Sequence, residues 1–160
     1  MADNNMLFAT EDEQADLIEV EEEIPLDKYL IFLSDKLLFG VNAEFVVEII
    51  TNHTITHLPM VPAFVSGIIN LRGQIIPIID MRLLLGKAPQ ADNCVIVLEI
   101  EGTEVGILVD TVAQMVDLAR DDIVPMPTRS AEKLISGMCS LPDGSGTMLV
   151  LDCPLLLHMQ

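Results

Sequence analysis

The stretch Gly67-Ile-Ile-Asn-Leu-Arg-Gly-Gln-Ile-Ile-Pro-Ile-Ile-Asp80 reads as two apolar strands folded about a polar bend, Asn70-Leu71-Arg72-Gly73. Short runs of Ile, Leu and Val favour the pleated, half-buried setting of a sheet. Gly73 supplies the positive φ of a tight connection, which puts Arg72 at or beside the bend. An arginine set among hydrocarbon demands a partner, and two readings are open. Arg72 either satisfies carbonyls or pairs with Asp80 across the hairpin, or it is held out for another molecule.

Working outward, turn residues divide the rest of the chain. Lys28 to Val41 holds two apolar runs around Ser34-Asp35-Lys36 and suggests a β-hairpin. Ala43 to Ile50 reads as a short helix, with Phe45, Val46 and Ile49 on one side and Glu48 away from it. Pro59 and Pro62 mark a loop before the central hairpin, and Gly86 ends a terminal turn over Met81–Leu85. The order then recurs. Cys94 to Asp110 is a hairpin turning at Glu101-Gly102, a loop carries Pro125 and Pro127, and Leu134–Leu141 leads through Pro142–Gly146 into Thr147–Asp152.

Both halves close on an apolar strand, an Asp, two residues and Leu-Leu-Leu, once at Asp80 and once at Asp152. An internal duplication follows, with repeats at 28–86 and 93–158 joined by 87–92. Each repeat holds about five short strands, the content of a small antiparallel barrel that closes to protect its edges. Fewer than about 70 residues rarely supply a sufficient core. The expected fold is therefore mainly β, two tandem SH3-like five-stranded barrels with short helices, packed together and leaving a groove as the binding candidate.

Charge limits the partners. Lys and Arg number 8 against 25 Asp and Glu, a formal net charge of -17. Nucleic acid is excluded because binding it relies on cations that neutralise phosphates, and an anionic membrane surface would repel the chain. Many of the acids lie before Ile24, so residues 1–27 read as a disordered acidic tail. No stretch approaches the ~20 apolar residues of a membrane span, and Met1–Asn5 lacks the basic start of a secretory signal. The expected location is cytoplasmic. Cys94, Cys139 and Cys153 sit in or beside apolar runs as small hydrophobes, not as a disulfide framework.

Enzymatic chemistry finds no motif. His53 and His57 are four apart, but their neighbours read as strand or loop and no third ligand is nearby, so surface histidines are the preferred reading. Gly144-Ser145-Gly146 lacks the ending of a phosphate loop and reads as a turn. No cofactor and no metal are expected. Met60, beside the Pro loop, is a candidate for exposure.

Taken together, Gly67–Gly73 followed by Ile76-Pro-Ile-Ile-Asp-Met-Arg82 resembles the signature of the CheW-like coupling proteins of bacterial chemotaxis. The resemblance runs over about 28–158 and includes Tyr29–Phe32, Phe39-Gly40, Val46–Ile49, Leu58-Pro59 with Pro62, and Gly106–Asp110. It implies a non-enzymatic adaptor, with weak or no self-association, that joins the cytoplasmic tips of chemoreceptors to the regulatory domain of a CheA-type histidine kinase. It also implies association with membrane-bound receptor arrays, and a receptor-facing groove lined by Val46, Glu48, Ile49, Gly67 and Arg72, with Asn70, Leu71 and Gly73 forming the hairpin motif. A paralogue serving pili or surface motility, or a small-ligand sensor using the groove between barrels, are the alternative readings.

Overall fold

The computed structural model describes residues 24–89, 93–126 and 134–158. The chain is mainly β. Its strands are β1 (Leu26–Ser34), β2 (Leu37–Asn42), β3 (Val46–Ile50), β4 (Val65–Leu71), β5 (Gln74–Asp80), β6 (Cys94–Ile100), β7 (Thr103–Val109), β8 (Thr111–Ala119), β9 (Val124–Pro125), β10 (Ile135–Ser140) and β11 (Thr147–Leu151). Two short helices, α1 (Met81–Leu84) and α2 (Cys153–His158), follow β5 and β11. β1 starts inside the segment expected as acidic tail, because Leu26 and Asp27 pair with Ala119 and Leu118; residues 1–23 lie outside the described residues.

The strands form two sheets, in the order β8-β1-β2-β11-β10-β9 and β3-β6-β7-β5-β4. These sheets do not follow the two halves 28–86 and 93–158 that were expected as separate barrels. β1 and β2 sit among strands of the second half, and β6 and β7 among strands of the first. If the strands of the two repeats are matched in order, both sheets have the same arrangement with their leading hairpins exchanged. The duplication is therefore present, but the repeats are interlocked. One parallel pair per sheet joins the halves, β2 with β11 and β5 with β7. The first sheet also gains β9, which makes it six-stranded instead of five.

Interlocking explains the unbroken apolar runs, since both faces of several strands are covered. In β1, Leu30 and Phe32 enter a central core between the sheets, while Tyr29 and Ile31 enter a core inside the first sheet. In β6, Ile96, Leu98 and Ile100 face the central core and Val95 and Val97 the interior of the second sheet. A strand buried on both faces loses the alternation that marks a half-exposed one.

The helix expected over Ala43–Ile50 is not formed. Only Ala43–Phe45 makes a 3₁₀ turn, capped by the Asn42 side chain, which accepts the Glu44 N–H at 3.0 Å. The next five residues are four β-branched side chains and Glu48, and they pair with β6 as β3.

Candidate functional site

β4 and β5 join through a two-residue turn, with Leu71 opposite Gln74. Arg72 and Gly73 both have positive φ, 52° and 84°, the backbone of a type I′ hairpin turn that matches the strand twist. Asn70 braces the turn by accepting the Gly73 N–H on Oδ1 at 3.1 Å. A non-glycine residue in this region costs local energy, and here the conformation throws the Arg72 side chain off the end of the hairpin.

That side chain does not reach Asp80. It meets Glu48 of β3 with Nη1 2.8 Å from Oε1 and Nη2 3.0 Å from Oε2, the two-pronged geometry that matches guanidinium to carboxylate. Asp80 is instead buried at the start of α1, where Oδ1 accepts the Arg82 N–H at 2.9 Å and the Leu83 N–H at 3.4 Å. Burial pushes the Asp80 carboxyl above the ordinary carboxylate range, against the downward pull of these bonds.

β3 and β4 are the two edges of the second sheet, so the Arg72–Glu48 pair ties edge to edge across the barrel mouth. Thr56 closes the same gap lower down through paired backbone bonds with Ile68 of 2.8 and 2.9 Å. Gly67 makes this approach possible, because a Cβ there would lie 2.2 Å from the Thr56 carbonyl oxygen. Gly67 is buried and acts on the site through the backbone.

The same sheet also exposes apolar side chains. A bulge in the pairing of β3 between Val46 and Glu48 leaves Val46 packed on the central core, while Val47 and Ile49 face solvent. Ile75 of β5 is 66% exposed and Met60 fully so. Of the residues expected to line a groove, Ile49 and Arg72 are exposed, Glu48 is half-buried and Val46 packs on the central core; Val47 and Ile75 were not singled out, and the alternation of β3 would have found Val47 had the segment been read as a strand. An open depression of about 610 Å³ lies at the hairpin ends of this sheet, lined in part by Gln74, Ile75, Glu99 and Glu104.

The histidines read as possible ligands lie on the loop after β3, and the His57 Nδ1–H donates to the Ser66 carbonyl at 2.8 Å. Among the described residues no group of three or more His, Cys, Asp or Glu is placed to hold a metal ion. The three thiols are buried, and burial pushes that of Cys153 up to about 12, which keeps it protonated and unreactive. The assembled groups can hold another molecule through apolar contact and charge-assisted hydrogen bonds, which is what a docking module needs.

The comparisons agree on which one. Residues 28–160 match the family described as the CheW-like domain, and the chain belongs to that family. It is 32% identical to the chemotaxis protein CheW of Klebsiella aerogenes over 139 residues, covering 83% of this chain and 82% of that protein. It is 40% identical to the chemotaxis protein CheW of Rhizobium meliloti over 92 residues, 56% of this chain and 59% of that one. The crystal structure of the scaffolding protein TtCheW from Thermoanaerobacter tengcongensis superposes with a TM-score of 0.72 at 30% identity, covering 79% of this chain and 89% of that chain.

Proposed function

We propose that this chain is a non-enzymatic chemotaxis coupling adaptor that holds the cytoplasmic tip of a chemoreceptor and the regulatory domain of a CheA-type histidine kinase in one complex at the receptor array. The observation that carries this reading is the Arg72–Glu48 fork at a sheet edge whose β3 also exposes Val47 and Ile49, on a chain of the CheW-like family. An apolar centre flanked by a polar, ion-paired edge suits a protein partner. An acidic or carbonyl group on a receptor helix tip would compete with Glu48 for Arg72, while Val47 and Ile49 bury against its apolar side. Gly67 and the Asn70–Gly73 turn hold the edge in place, and the kinase takes another face.

The test is reconstitution of the purified chain with a receptor signalling fragment and a CheA-type kinase, following autophosphorylation. Receptor control of the kinase should require this chain and fail with Arg72→Ala, which should weaken receptor binding by roughly 1.5–3 kcal/mol, about one to two powers of ten. Kinase binding should change little. Absence of a complex with either partner would reject the reading.

A further inference from the structure

Arg82, two residues into the helix after β5, makes a second forked ion pair, and this one lies between the sheets. Its Nε is 2.7 Å from Asp110 Oδ1 and its Nη2 2.8 Å from Oδ2, with side-chain exposures of 20% and 14%. Asp110 occupies the single residue between β7 of the second sheet and β8 of the first, so it marks a point where the chain crosses from sheet to sheet. Its Oδ2 also accepts the N–H of Asp35 at 3.0 Å, in the β1–β2 turn of the first sheet. Arg82 Nη1 stands 3.8 Å from Asp35 Oδ1 and donates to the Ala88 carbonyl at 3.4 Å, and Lys87 Nζ is 3.8 Å from Asp35 Oδ2. One guanidinium thus gathers a turn of the first sheet, a helix of the second, the crossover and the linker.

The duplication supplies an internal control. In the other repeat the residues matching Arg82 and Asp110 are Pro154 and Glu44, both exposed. Among the described residues no ion pair joins these two positions, and the pair beside Glu44 runs instead from Arg120 to Asp27, so the repeat itself does not dictate the Arg82–Asp110 fork. Nor is it the main adhesive, because the central apolar core already joins the sheets. Hydrophobic contact is non-directional, whereas a half-buried fork has one permitted geometry, and buried ion pairs are better placed to specify an arrangement than to stabilise it.

We propose that Arg82 and Asp110 are positioning residues that fix the relative orientation of the two sheets. In the adaptor reading, on which this second step rests, they hold the receptor-facing edge of one sheet in register with a kinase-contacting face elsewhere on the molecule. Loosening the pair would leave each partner bound and uncouple them.

The test uses the full chain carrying nitroxide labels on Met115→Cys of β8 and Thr103→Cys of β7, both exposed positions, read as a distance distribution by pulsed electron resonance. Arg82→Lys keeps the charge and loses the fork; Asp110→Asn keeps the shape and loses the charge. With a cooperative thermal transition retained, either variant should broaden the distribution about twofold or shift its mean. An unchanged distribution in a folded Arg82→Lys protein overturns the proposal, and so does failure of that mild variant to fold, which would make the pair a plain stabiliser. In the reconstituted system, binary affinities should stay within about threefold of wild type while receptor control of the kinase is lost. If no complex forms even with wild type, the adaptor reading fails, and the distance measurement still decides the orientation claim.

Discussion

Arg72 and Glu48 lie at the two edges of the same sheet, and their paired bonds of 2.8 and 3.0 Å replace the strand-to-strand pairing that the barrel lacks there. One contact thereby closes the barrel and presents a charged group to a partner, and the two roles can be separated by substitution.

Arg72→Asn is the separating variant. Asn accepts positive φ and is favoured before Gly in this turn, so the folded state should be as stable as wild type within about 1 kcal/mol, the range of an exposed ion pair. Receptor-fragment binding should fall as in Arg72→Ala. Urea denaturation and titration calorimetry on the same preparation check both halves; a large loss of stability would give the pair to the fold.

Gly67→Ala should damage folding directly. The added Cβ meets the Thr56 carbonyl at 2.2 Å, with φ at 151°. Backbone must move on one side or the other, at an expected cost of about 2–3 kcal/mol. The midpoint of chemical denaturation reads this out, and exchange of the Thr56 and Ile68 amides should accelerate with it.

Ile49→Glu tests the apolar part of the face. Ile49 is 41% exposed on an edge strand, so stability should shift by less than about 1 kcal/mol. Receptor binding should weaken by tenfold or more, because the new carboxylate must be desolvated on docking. Retained affinity would move the contact away from β3.

Acid should erase the contribution of Asp110. The Arg82 guanidinium, chiefly through its hydrogen bonds, holds the Asp110 carboxyl below the ordinary range. A depressed carboxylate stabilises the fold above its unfolded value near 3.9 and loses that effect as pH falls through the folded value. The stability gap between wild type and Asp110→Asn should be full at pH 7 and narrow below about pH 4. Asp80 shifts the opposite way, chiefly through burial, its ionisation opposing folding at neutral pH; because the Asp110 charge adds to that rise, Asp110→Asn relieves part of it and makes the gap at pH 7 smaller than the ion pair alone would give. Denaturation at several pH values measures the gap; one that stays constant into acid would remove the charge from the explanation.

The thiols should be silent until the chain unfolds. All three are buried, and burial raises each of them. A disulfide reagent at pH 8 should modify them slowly in the native protein and all three promptly in denaturant. Fast reaction of one under native conditions would reveal local opening beside it.

Much of this was readable from the residues because the signals are local. Asn70 and Gly73 announce a turn within four residues, and the Leu-Leu-Leu endings after Asp80 and Asp152 reveal the repeat. Glu48, Ile49 and Arg72 were legible one by one as candidates. Their arrangement was not, because Glu48 and Arg72 meet across 24 residues and no spacing rule reaches that far. The exchange of leading hairpins was hidden for the same reason: a strand's pattern shows which faces are covered, not which strand lies beside it. β3 was misread because Phe45, Val46 and Ile49 also fit a helical face, and β-branching decides only when the apolar spacing is ambiguous.

The interlocked repeats also set the order in which the molecule can be finished. β2 leaves the ribosome long before β11, yet it lies between β1 and β11, and its Leu38–Gly40 pair with Met148–Val150. The β1–β2 hairpin must wait, with one edge open, until β11 arrives, and such long-range pairing is slow and exposed to aggregation. Two fragments cut between the repeats should each remain incomplete, and should recover a folded molecule only when mixed, each lending the other its leading hairpin.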